Sequence, residues 1–248
     1  MDRVEETYDG TDAIKRQMAT GVDFNDRTWA VIKALYDGEI EYADYTAREL
    51  VRVARRETDD PLIIVAVGDH GELFGEYGLL GHSLVLHDGL TRVPGLVVGI
   101  EDVVDDSGSV TQHIDLTHTI ASITGVLDEQ FQGRDLRSHN REYAVSQRGV
   151  ADFSAYQEYD PSFNIPHISS DSVTSIRTTS HKLLSSDSET ALYGLPDETT
   201  DLYDERPDVA SRLHSYLENE QIVWPDPKEE KIAFDESTES RLRELGYL

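Results

Sequence analysis

One hexapeptide constrains this chain more than anything else in it. Leu62-Ile63-Ile64-Val65-Ala66-Val67 is an unbroken apolar run that passes straight into Gly68-Asp69-His70-Gly71. A strand with one wet face alternates apolar with polar residues, so a run without alternation is the pattern of a strand covered on both faces. Such a strand needs helices above and below it, and the residues just upstream supply one. From Asn25 and Asp26, either able to cap, apolar residues recur at helical spacing from Trp29 and Ile32 through Tyr36 and Ile40 to Leu50 and Ala54. Arg52, Arg55 and Arg56 place cations where a helix C-terminus favours them. Thr58-Asp59-Asp60-Pro61 then turns the chain into the apolar run.

The remainder of the first half continues the same theme. A short, helical link over Leu84–Leu90 leads to a second apolar strand, Val93–Val98, and Asp115–Thr124 reads as a helix ended by Gly125. The expected fold class is therefore α/β, with a partial parallel sheet flanked by helices. Upstream of Phe24 no apolar period is sustained, which predicts a polar surface segment. The second half changes character. Glu142–Ser146, Ser172–Thr178, Lys182–Ser185 and Ala191–Leu195 are short strand-like pieces broken by Asp-Pro, Pro-Asp and Ser-Asp turns, the pattern of a small antiparallel sheet. Pro207 suits the first turn of a helix with Val209, Leu213, Tyr216 and Leu217 on one face. Trp224-Pro225-Asp226-Pro227 reads as a stiff linker and Glu239–Leu245 as a short terminal helix. The expected division is a polar segment at 1–24, an α/β layer at 25–140 and a smaller subdomain at 141–248. At roughly 150 residues per domain, 248 residues accommodate one large domain and an appendage.

Charge and cysteine content remove whole classes of function. Acidic residues number 49 against 22 basic ones, a net charge of −27, so the field repels phosphate backbones and anionic lipid alike. Nucleic acid is an excluded partner. The acidic residues are dispersed rather than gathered in a tail, which suits a halophile's protein kept soluble where salt screens the self-repulsion. There is no cysteine, hence no disulfide, thiolate metal site or cysteine nucleophile. No apolar stretch is long enough to span a bilayer, and Met1–Gly10 is acidic where a secretory leader would be basic and then apolar. The expected compartment is the cytoplasm.

The residues best placed for chemistry are Asp69 and His70. Neighbours in a strand face opposite ways, so both reach one ligand only where the pleat ends, and here it ends between two glycines. Open α/β sheets bind ligands beyond the carboxyl ends of their strands. A carboxylate and an imidazole there suit a divalent cation; an aspartate capping the next turn beside a surface histidine fits the same spacing. Glu72 and Glu76 lie in the glycine-rich loop as outer partners or solvated groups. Capping or packing accounts for His87, His113 and His118. Asp37, Glu39, Glu41 and Asp44 read as an exposed helix face. Arg177 and Lys182 could reach an anion from the later sheet.

Several stretches in this order carry a family resemblance: Tyr36-Asp37-Gly38-Glu39-Ile40; Val67-Gly68-Asp69-His70-Gly71-Glu72 with the loop to Gly81-His82; Arg92-Val93-Pro94; His113-Ile114-Asp115-Leu116; Ala191-Leu192-Tyr193; and the closing Arg241–Leu248. The chain from about Asn25 to Leu248 closely resembles the later part of the sulfatase family within the alkaline-phosphatase-like superfamily. The resemblance implies that fold, a small antiparallel C-terminal subdomain, and hydrolysis of a sulfate ester of a small molecule or saccharide. It assigns Asp69 and His70 to a divalent metal, calcium in the family. It makes His82 the candidate catalytic residue, either contacting the anion or protonating the leaving oxygen.

The departures are as informative. The family's nucleophile lies in a Cys-or-Ser-x-Pro-x-Arg motif and becomes a formylglycine, and an Asp pair on an earlier strand completes the metal site. Neither is found in these 248 residues. The reading that follows is a chain beginning partway into the catalytic domain, with an incomplete metal site, inactive alone and partnered by an N-terminal half. Uncovered apolar helix faces and a strand edge are expected with it. Phosphomonoester or phosphonate hydrolysis on the same scaffold is the enzymatic alternative, and a non-catalytic relic or interaction subunit the other.

Overall fold

The computed structural model describes residues 11–103, 109–138, 141–165, 170–219, 237–238 and 241. The expected linker at Trp224–Pro227 and, apart from Arg241, the terminal helix at Glu239–Leu245 lie outside the described residues. The first described element corrects an expectation. Helix α1, Thr11–Ala19, belongs to the core, with Met18 and Ala19 buried among Leu73, Leu79, Val85 and Tyr156. Its contacts come from far along the chain, and one short stripe of Ile14, Met18 and Ala19 is too brief to register as a period.

Helix α2, Asp26–Glu57, follows the sequence closely. Asn25 caps it by accepting the Thr28 amide at 3.0 Å, and Arg55 and Arg56 occupy its last turn. Its N-terminal turns pack by their aromatic residues. Trp29 meets Phe24 edge to face at 5.2 Å and Tyr36 meets Phe74 at 5.1 Å. Gly75, at φ +114°, leaves the room that the Trp29 ring needs, since a Cβ there would stand 3.2 Å from it. Ile32 is the helix's buried residue. Leu35, Ile40 and Leu50 on the apolar stripe are more than half exposed.

The hexapeptide forms strand β1, Ile64–Val67. It is followed by a hairpin of β2 (Leu73–Phe74) and β3 (Leu80–Gly81), a four-residue helix α3 (Asp88–Thr91), and strand β4 (Gly95–Val98). β1 and β4 pair antiparallel, Ile64 opposite Val98 and Val67 opposite Gly95, so the parallel pairing expected within the α/β class is corrected. The physical reason lies in the link. A parallel return needs a crossover long enough to carry the chain back along the sheet. The link between β1 and β4 is long enough for one, but it is taken up by the β2–β3 hairpin and a single helical turn, which return the chain to the end of β1 that it left. The covering is also less than the apolar run implied, with Val67, Leu96 and Val98 each more than 40% exposed.

Helix α4, His113–Thr124, begins two residues before the expected Asp115, because Asp115 closes a capping box onto Gln112. The same buried carboxylate takes the Arg134 amide and both oxygens receive Arg141 Nε, at 2.8 and 2.7 Å. The start of the helix, the loop at Arg134 and Arg141 further along the chain are thereby joined.

The later sheet matches its pattern. Strands β5 (Ala144–Arg148), β6 (Val173–Arg177), β7 (His181–Ser185) and β8 (Thr190–Gly194) lie in that order, all antiparallel. A short helix α5, Ser154–Gln157, sits between β5 and β6 and packs Tyr156 beside α1. Helix α6, Pro207–Asn219, lays Val209, Ala210 and Leu213 on Ile176, Leu183 and Leu192. The alternate residues Val173, Leu184, Ala191 and Tyr193 pack on Leu86, just before α3. Both sheet faces are therefore closed. Lys182, on the Leu184 face, is wholly buried and answers with ion pairs to Asp88 at 3.0 Å and Glu198 at 2.8 Å. Arg177 also binds Asp88, and Glu198 accepts the Asp88 amide at 2.7 Å.

Candidate functional site

The loop after β1 is held by backbone before any functional side chain is considered. The Gly68 amide donates to the Pro94 carbonyl and the Gly71 amide to the Leu90 carbonyl, at 3.1 and 2.9 Å. His113 reaches from the start of α4 to the Gly68 carbonyl at 2.8 Å. A Cβ on Gly71 would overlap the Gly89 carbonyl oxygen, so the α3 backbone sits directly on the loop and only glycine allows it.

Three side chains converge there. His70 Nδ1 donates to the Gly71 carbonyl at 2.8 Å. His82 Nδ1 lies 3.1 Å from Glu72 Oε2. The His70 and His82 rings stack at 4.3 Å with 26° between their planes. The hairpin explains the meeting: Leu73 pairs with Gly81, so Glu72 and His82 are the next residues outward on its two arms. His70, Glu72 and His82 each offer one ligand atom within 4.8 Å of the others. Their side chains are 33%, 22% and 32% exposed, half-sheltered and open to a small solute.

Asp69, paired with His70 in the sequence reading, is arranged differently. Its Oδ1 accepts the His70 amide at 2.9 Å and its Oδ2 lies 3.8 Å from His70 Nε2, with the side chain 77% exposed. The carboxylates shape the titration of their neighbours. Hydrogen bonding to Glu72 raises the His82 pKa, burial opposes it, and the Glu72 and Asp69 charges add to the rise. Burial and then the same two charges raise the Tyr36 phenol, which α2 brings alongside.

The other candidates resolve into structure. His87 Nδ1 accepts the Gly89 amide and caps α3, His118 Nδ1 bonds the Phe131 carbonyl, and Glu76 accepts the Phe74 amide. Arg177 and Lys182 are committed to the Asp88 and Glu198 carboxylates. Asp44 pairs with Arg48 on the surface of α2. Glu72 is the residue that sequence reasoning undervalued, as an outer or solvated group. Its mirror position to His82 across a glycine-bounded turn is the signal that could have found it.

Solved structures of similar fold define the class. The 2-O GAG sulfatase BT1596 aligns with a TM-score of 0.61 and 15% identity over 87% of this chain and 47% of that one. The phosphonate monoester hydrolase SpPMH from Silicibacter pomeroyi gives 0.60 and 18% over 87% and 47%. The phosphonate monoester hydrolase of Agrobacterium radiobacter gives 0.60 and 19% over 79% and 42%. The fold is thus that of the alkaline-phosphatase-like superfamily, and the chain spans about half the length of these proteins. A sequence model of the sulfatase family matches residues 3–126, and the chain belongs to that family. No curated protein matches it.

Proposed function

We propose that this chain serves the hydrolysis of a sulfate ester of a small molecule or saccharide, with the loop from Gly68 to His82 facing the ester. The observation that carries the reading is the meeting of His70, Glu72 and His82 beyond the end of β1, within the segment that matches the sulfatase family. Glu72 holds His82 by Nδ1, so the imidazole is oriented before substrate arrives. From there His82 contacts the anion or gives a proton to the departing oxygen. Asp69 and His70 are the residues the family reading gives to calcium. Calcium takes about six to eight oxygens, whereas the described residues at this loop offer two imidazoles and two carboxylates, one of them already holding an amide. The donors do not fit calcium by themselves.

The 248 residues contain no Cys-or-Ser-x-Pro-x-Arg sequence. Attack on sulfur is therefore not assigned to this chain, and the isolated polypeptide is expected to turn over no ester. The test is p-nitrophenyl sulfate hydrolysis by the chain alone and by the chain mixed with a sulfatase segment carrying that motif. Turnover that needs both and falls at least tenfold with His82→Ala supports the reading. Activity of the chain alone, or none from the mixture, overturns it. Phosphonate and phosphate monoesters run in parallel decide the alternative that the phosphonate hydrolase likeness raises.

A further inference from the structure

We propose that α2 is a self-association surface, pairing antiparallel with α2 of a second copy of this chain about a two-fold axis level with Tyr45. The inference goes beyond the ester reading and does not depend on it.

The helix itself is the first argument. It runs for 32 residues, about 48 Å at about 1.5 Å per residue. Every residue from Asp37 to Arg48 is exposed, so about three turns stand in water. Propensity alone holds such a length poorly, because most helical stability in proteins comes from packing an apolar face. That face exists and is uncovered. Tyr36, Ile40, Ala43, Ala47, Leu50 and Ala54 recur at alternating spacings of four and three, the a/d repeat of a two-helix seam. Tyr36, Ile40 and Leu50 are 38%, 54% and 66% exposed.

The repeat also matches itself when reversed. About an axis level with Tyr45, Tyr36 falls beside Ala54 of the second copy, Ile40 beside Leu50, and Ala43 beside Ala47. The alanines let the two backbones approach closely at the axis, and each tyrosine lies over a small residue at the ends. A two-fold contact uses one patch twice and therefore requires this self-complementarity.

Charge selects the occupant and its direction. Between Tyr36 and Tyr45 every charged residue is acidic: Asp37, Glu39, Glu41 and Asp44. From Thr46 to Arg56, the cations Arg48, Arg52, Arg55 and Arg56 outweigh Glu49. Antiparallel pairing lays the acidic half of each helix along the basic half of the other, with Asp37 on the flank that meets Arg55. Parallel pairing would set like charge on like. Exposed ion pairs contribute little energy each, but they fix direction and register. The net charge of −27 opposes association at long range. Salt at about 0.5 M shortens that repulsion to about 4 Å and leaves the apolar seam intact.

The experiment uses the full 248-residue chain in salt at about 0.5 M, followed by sedimentation velocity and light scattering. The expected result at about 50 µM is a species of twice the 27.9 kDa chain mass. Ile40→Glu and Leu50→Glu each give a monomer, whereas Leu96→Glu, on the exposed face of β4, leaves the dimer in place. Asp37→Arg and Arg55→Asp each weaken the dimer at least threefold, and the two together in one chain restore it to within twofold; these variants keep the apolar seam and so test the pairing without loss of the helix face. The chain has no cysteine, so direction is read by cross-linking. Thr46→Cys, beside the axis, forms a disulfide-linked dimer, and Glu39→Cys does not, because antiparallel pairing carries its two copies about 20 Å apart. A monomer at that concentration overturns the proposal, including a monomer that pairs only with the sulfatase segment of the complementation assay. So does a dimer untouched by Ile40→Glu, equal cross-linking through Glu39→Cys, or a combined Asp37→Arg/Arg55→Asp protein as weak as either single variant.

Discussion

Lys182→Met tests the buried ion network that joins α3 to the later sheet. Lys182 is fully buried, with Asp88 at 3.0 Å and Glu198 at 2.8 Å, and the Glu198 side chain is 1% exposed. At an effective dielectric of about 20, a pair of charges about 3 Å apart attracts by about 5–6 kcal/mol before the cost of desolvation. Methionine conserves volume but removes the charge. Asp88 keeps Arg177, whereas Glu198 is left with the Asp88 amide and His87 at 3.6 Å. An uncompensated buried carboxylate costs about 3–5 kcal/mol. With a urea slope of about 2 kcal/mol per molar, the unfolding midpoint should fall by about 1.5–2.5 M. The companion Lys182→Met/Glu198→Gln removes the stranded charge and should recover most of the loss. Urea titration followed by circular dichroism measures both. A single variant within about 0.5 M of the parent, or a double variant as weak as the single, would refute the argument that charge pairing rather than packing holds this junction.

Gly71→Ala should lower the unfolding temperature, since the new methyl overlaps the Gly89 carbonyl oxygen and must push α3 off the loop; a protein with unaltered melting would count against that close approach. Leu213→Ala should cost about 2–5 kcal/mol in urea unfolding, because the side chain is wholly buried between α6 and the sheet. Burial alone would raise the Asp88 pKa, but hydrogen bonds from Arg177 and the charge of Lys182 outweigh it and hold the carboxyl below its ordinary value. A depressed folded pKa gives stability that is present above the unfolded value of about 3.9 and lost as pH falls through the folded one. Unfolding temperature should therefore drop on acidification below about pH 4, and Asp88→Asn should flatten that part of the profile; identical profiles would disprove the assignment.

Much of the fold was legible because its signals are local. Asn25, the apolar spacing from Trp29 and the arginines at 55 and 56 mark α2 within a few residues. The turn residues around β6 to β8 mark the antiparallel sheet. Other features were not legible because distant chain decides them. Met18 is buried by residues more than fifty positions away. The direction of β4 relative to β1 depends on where the intervening hairpin sends the chain. Lys182 in a strand is ordinary until α3 and the 198 loop close over it.

The amino-acid order alone determined the α/β class, the sulfatase resemblance and the loop proposed to carry the chemistry, since each follows from a contiguous run of residues. Only the tertiary structure decided which side chains share that loop's space. Asp69 and His70 are neighbours in sequence, but the β2–β3 register sets Glu72 against His82 and stacks His82 on His70. Register depends on hydrogen bonds between two strands and on what packs over them, so the donor set exists only after the chain has folded.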